Sequence, residues 1–174
     1  MNATSRALTA PHTGLSTLTG TIVTAGSALL GAITLVALVR LAAGMTPATG
    51  YVREAALMIH LATVVPAIPL GLAVLLGRKG TPRHRTMGKV WLTLMGVTAI
   101  STLFIRNVND GSFSLIHLFV PLTFFGIYQI ITSARRHDIA AHKRHVTSLY
   151  IGALLVAGFA SFFPGRLMWH WLVS

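Results

Sequence analysis

A chain of 174 residues with 53% hydrophobic and only 10% charged side chains has a membrane composition and leaves room for one compact membrane domain. With no cysteine, disulfides, thiolate metal sites, iron–sulfur clusters and covalent c-type haem attachment are excluded. A net charge of +11 would point to nucleic acid in a soluble protein. Here Lys and Arg fall in short loops between apolar runs, so nucleic acid is not an expected partner.

Met1 to Gly20, rich in Thr, Ser and Ala, reads as a mobile N-terminal tail (residues 1–20) leading into the membrane domain (21–163). The first expected span is Thr21 to Ala43, with Gly20, Gly26 and Gly31 offering close approach to a neighbouring helix. The second is Ala55 to Gly77, interrupted by Pro66 and Pro69, which free backbone carbonyls and predict a kink. Gly77-Arg78-Lys79-Gly80 ends it. Thr81 as N-cap and Pro82 at the first helical position then open a third span reaching about Ile105. After a polar turn, Ser112 caps a fourth span, Phe113 to Thr132. Asp138 caps a fifth, Ile139 to Phe163, which Pro164-Gly165 breaks. The tail 164–174 carries Trp169 and Trp171 and reads as interfacial. Each span has about 20 residues, enough for a ~30 Å hydrocarbon core.

Charge sets the expected topology. Arg6, Arg78, Lys79, Arg83, Arg85, Lys89, Arg135, Arg136, Lys143 and Arg144 share one side, against Arg40, Arg53, Arg106 and Arg166 on the other. The richer side is cytoplasmic, which places the N-terminus inside and the C-terminus outside. The expected fold is an all-α polytopic bundle of five transmembrane helices.

Histidine within such a bundle is costly unless another group uses it. His60 lies six residues past Glu54 and His117 five past Ser112, so both sit roughly 7–10 Å into parallel helices from the outer side. His84 and His142 occupy the first turns of the third and fifth spans on the inner side, with His145 a competing inner ligand. Paired imidazoles at matched depth are what a b-type haem requires of its axial ligands. Arg83, Arg85 and Arg144 adjoin the inner pair and would offset propionates. The competing reading has His84 and His142 solvated at headgroup level and His60 and His117 bonded across helices. His12 and His137 are expected to face solvent, and His170 to join an aromatic belt. The three acids, Glu54, Asp110 and Asp138, all fall at expected helix ends, so no carboxylate relay or hydrolase constellation stands out. Tyr128 and Gln129 are candidates for a quinone, beside the commoner role of Tyr at an interface.

The stretch Arg83-His84-Arg85-Thr86-Met87-Gly88-Lys89-Val90-Trp91 resembles the His-Arg-x-x-Gly-x-x-(Trp/Tyr) element of a small bacterial membrane family, domain of unknown function 2306. Ala141-His142-Lys143-Arg144-His145-Val146, with Tyr150-Ile151-Gly152 and Pro164-Gly165-Arg166, resembles its second element. The resemblance covers roughly His60 to Arg166 and departs at Val146, where Met is the expected residue, which weakens a Met ligand there. It implies a multi-pass protein of the bacterial inner (cytoplasmic) membrane and carries no activity with it. In histidine spacing alone, the chain is similar to transmembrane b-type cytochromes that hold two haems between alternate helices. The expected function is therefore electron transfer within or across the membrane through haem b, with quinol as a possible donor. The alternative is a non-catalytic accessory subunit in contact with the bilayer and a larger membrane complex. A third is a solute carrier using the helix broken at Pro66 and Pro69.

Overall fold

The structure, a computed structural model, describes residues 15–46, 54–106 and 114–173, and every regular element among them is helical. Helix α1 (Thr17–Ala42) starts where Ser16, in extended conformation, accepts a hydrogen bond from the Thr19 amide at 3.1 Å. Its buried residues, Val23, Ser27, Leu30, Thr34 and Ala37, alternate in steps of four and three and form one narrow stripe. Of the three glycines expected to admit a neighbour, only Gly26 does: a Cβ there would lie 3.2 Å from Leu155. Gly20 and Gly31 face open space, because they lie off the buried stripe.

Helix α2 (Ala55–Leu76) runs through Pro66 and Pro69 without a break. The missing N–H groups leave the carbonyls of Ala62 and Val65 without their usual partners four residues on. Gly71 is the closest approach in the bundle: a Cβ there would meet Trp91 Nε1 at 2.5 Å and Tyr150 Cε2 at 2.6 Å. At the helix end, the Lys79 ammonium donates to the carbonyls of Val74, at 3.2 Å, and Gly77, at 3.0 Å, and to that of Leu75. A cation here completes the carbonyls that a helix C-terminus leaves open. Gly80, at φ 77°, then turns the chain.

Thr81 caps α3 (Pro82–Thr102) by accepting from the His84 amide at 3.1 Å, with Pro82 at the first helical position as expected. The expected cap Ser112 lies outside the described residues. Ser114 instead opens a 3₁₀ turn, Leu115–Leu118, that leads into α4 (Phe119–Arg135). His137, at φ 56°, closes α4, and Asp138 caps α5 (Ile139–Leu149) through the Ala141 amide at 2.9 Å. The fifth rod is not uniform. It widens into a π-helical stretch, Tyr150–Val156, before the short α6 (Ala157–Ala160). Gly165, at φ 83°, then reverses the chain into α7 (Leu167–Val173).

Helix α2 packs chiefly on α3, α4 on α5 and α3, and α1 on α7 and α2. The centre is filled by Trp91, Tyr150, Leu30, Met95, Leu154 and Val23, all fully buried. The Trp91 and Tyr150 rings lie 6.3 Å apart in a tilted stack. The Tyr150 hydroxyl donates to the Ile68 carbonyl at 3.0 Å and lies 2.6 Å from Ser27 Oγ, which ties α1, α2 and the π stretch to one atom. The C-terminal segment packs onto the bundle. Trp171 has no exposure, and its carbonyl accepts from Arg40 Nε of α1 at 3.1 Å.

Leu18, Leu35, Phe104, Leu115, Phe125 and Phe163 are each more than half exposed, an apolar exterior suited to hydrocarbon. Among the described residues, three helical segments are long and apolar enough to cross a membrane: Thr17–Ala42, Ala55–Leu76 and Leu115–Arg135. Helix α3 has the length but carries Arg83, Arg85 and Lys89 in its first two turns. The fifth rod has the residues but is divided among α5, the π stretch and α6.

Candidate functional site

A cavity of about 190 Å³ lies among α1 to α4, the π stretch, α6 and α7. Its wall runs from Leu57, Ile105, Ser114 and Arg166 at one end of the bundle to Ile68, Met95, Thr123 and Leu154 near the middle. The distance along α2 from Leu57 to Ile68 is about 16 Å at ~1.5 Å per residue, so the space is elongated parallel to the helices. Its wall is mostly Leu, Ile, Val, Ala, Met and Phe. The polar members are Thr34, His60, Thr98, Thr102, Ser114, Thr123, Ser161 and Arg166.

His60 is held in that wall by three groups of α3. The Thr98 carbonyl, Ser101 Oγ and Thr102 Oγ1 approach its Nδ1 at 3.3, 3.3 and 3.2 Å. Both hydroxyls donate in turn to the Thr98 carbonyl at 2.8 Å. A carbonyl only accepts, so this grouping assigns the proton to Nδ1 and leaves Nε2 of the neutral ring as an acceptor. Thr98 Oγ1 also donates to Thr63 Oγ1 at 2.8 Å, a second polar tie between α2 and α3. These α3 residues had a readable signal that the histidine pattern overshadowed: positions 98, 101 and 102 share one helical face by spacing alone.

His117, buried in the 3₁₀ turn, is used differently. Its Nδ1 accepts from the Ser114 amide at 3.0 Å and closes a capping box on its own turn. The Ser114 carbonyl lies 3.2 Å from the same nitrogen, so the ring is engaged by its own turn. His117 is not part of the cavity wall. The expected outer pair therefore does not enclose a common space, although both members lie at one end of the bundle.

The inner pair does come together. The rings of His84 and His142 lie 6.5 Å apart, edge to face. His142 Nδ1 donates to the Ile130 carbonyl at 3.2 Å, while His84 Nδ1 is buried with no hydrogen-bond partner among the described residues. His145 does not join them. The cleft between them holds about 10 Å³ and is shared with Lys79 and Lys143. Burial, and then the Lys143 ammonium, hold the Lys79 amine below its usual range. Arg83, Arg85 and Arg144 are exposed at the same end. Tyr128 is exposed, and neither it nor Gln129 reaches the cavity. His137 and His170 are exposed, and His12 lies outside the described residues. No three metal-ligating His, Asp or Glu side chains converge among the described residues.

The family model described as "Predicted membrane protein (DUF2306)" matches residues 57–170, more than half of the chain. No curated protein and no solved structure matches it.

Proposed function

Because the chain belongs to this family of predicted membrane proteins, we propose that it is a multi-pass protein that binds a lipophilic small molecule inside the bilayer. The ligand lies in the elongated cavity, with His60 as its main fixed polar contact. In this reading the five helical rods cross the bacterial inner membrane with the N-terminus on the cytoplasmic side, which the distribution of Lys and Arg supports. One observation supports the ligand site above the rest. A mostly apolar cavity reaches from one end of the bundle to its middle, and its imidazole is locked at Nδ1 by α3, which leaves a fixed acceptor at Nε2. A quinol head, which donates hydroxyl hydrogens, belongs to the class this acceptor suits.

Partition of radiolabelled decyl compounds onto protein in lipid nanodiscs, corrected with empty nanodiscs, tests the reading. Saturable binding that Ala157→Phe abolishes by filling the cavity supports it. Binding at the background of empty nanodiscs refutes it.

Electron transfer through haem b is the second reading. It draws on the carbonyl-anchored Nδ1 atoms of His60 and His142, the arrangement in which a protein commonly presents Nε2 to iron. Haem would supply one-electron redox chemistry. The chain would supply imidazoles and, through Arg83, Arg85 and Arg144, offsetting charge. A sharp Soret band in purified protein, lost in His142→Ala, supports this reading, and a colourless preparation from haem-replete cells ends it. A protein that binds neither class of ligand and co-purifies with a larger membrane complex would be an accessory subunit.

A further inference from the structure

Resting on the cavity reading above, we infer that the ligand is a single-chain lipophilic anion whose carboxylate or phosphate head is held by Arg166. The cavity carries its charge at one end. At the end of the bundle where α2 and the 3₁₀ turn begin, its wall holds Arg166, Ser114 and, about a turn further in, His60. In the middle of the bundle it holds Ile68, Met95 and Leu154. Among the described residues, Arg166 is the only charged side chain in the wall, and no acidic residue contributes to it.

A guanidinium at the edge of hydrocarbon is costly without an anionic partner. Three features of the fold supply the geometry for one. Gly165, at φ 83°, turns the chain so that Arg166 follows the fifth rod at once. The Arg166 amide is engaged by the Phe163 carbonyl at 3.0 Å, and its own carbonyl accepts from the His170 amide at 3.2 Å, so its backbone is held from both sides. The residue is half-buried and contributes to the cavity wall. A planar guanidinium takes a carboxylate or phosphate through two parallel hydrogen bonds. The apolar length below it, about 16 Å, accommodates a chain of roughly ten carbons in extended form. A neutral quinone would leave the Arg166 charge unanswered, so head charge separates the two ligand classes.

The test compares decanoate, decyl phosphate and decanol, which share one chain and differ in head, against wild type, Arg166→Gln and Arg166→Lys in nanodiscs. The expected result is that one or both anions bind wild type about tenfold or more tighter than decanol. That preference should vanish in Arg166→Gln while decanol binding persists, and Arg166→Lys should keep part of it. Relative affinities of decanoate and decyl phosphate then tell which head the site takes. Equal binding of all three compounds to wild type, or a preference unchanged in a folded Arg166→Gln, overturns the anion assignment and leaves the cavity reading standing. Absence of any Ala157-sensitive binding overturns the cavity reading itself.

Discussion

Single atoms decide much of the packing. At Gly71 a methyl group would collide with Trp91 and Tyr150 at 2.5 and 2.6 Å, and both partners are rigid rings buried on every side. Gly71→Ala should therefore destabilise the protein by about 1–3 kcal/mol, through overpacking. The check is a lowered unfolding midpoint in mild detergent, with Gly31→Ala, which meets nothing, as the neutral control. Tyr150→Phe removes the hydroxyl that joins Ile68 and Ser27 while keeping the ring. A loss of about 1–2 kcal/mol is expected, measured in the same assay. The histidines show why residue type is a weaker guide than residue surroundings. His60 and His117 are equally apolar in local sequence, yet one is anchored by a neighbouring helix and the other caps its own turn. Spacing along the chain reports depth in the bilayer, whereas the direction of a ring nitrogen depends on which helix lies opposite.

Helix ends were the most legible elements, because capping is local chemistry. Thr81, Pro82 and Asp138 stand where their side chains and backbone restrictions place them. Ser16 does the same for α1 four residues earlier than the apolar run suggests. The C-terminus of α2 has a cap with no sequence signature beyond a basic residue near Gly77: the Lys79 ammonium folds back on three carbonyls. Its proton is also a probe. Burial and then Lys143 lower the folded-state pKa, so just below the usual lysine range the unfolded chain holds a proton that the folded chain has released. Stability should therefore rise with pH across that window, and the cost of the buried charge is present in full below it. Unfolding midpoints measured from neutral pH upward should show the rise in wild type, and Lys79→Met should flatten it. The π stretch Tyr150–Val156 left no mark in composition.

At the scale of the whole molecule, the bundle presents an apolar exterior and a basic end. Cysteine is absent from the chain, so single cysteines report sidedness without background. With the N-terminus inside, Arg136→Cys should react with a membrane-impermeant maleimide only in inside-out vesicles, and Met45→Cys only in right-side-out ones. Swapped labelling of the two would reverse the topology, and labelling of both from the same side would mean an even number of crossings between them. Composition and capping residues were enough to establish a helical membrane protein and the approximate limits of its helical rods. Those properties follow from the solvent each residue requires and from contacts within a few residues. The cavity, the pairing of His60 with α3, the meeting of His84 with His142 and the burial of Trp171 against α1 were settled only by tertiary structure. They depend on how helices rotate about their axes and which faces meet, and an apolar residue facing lipid reads the same in sequence as one facing another helix.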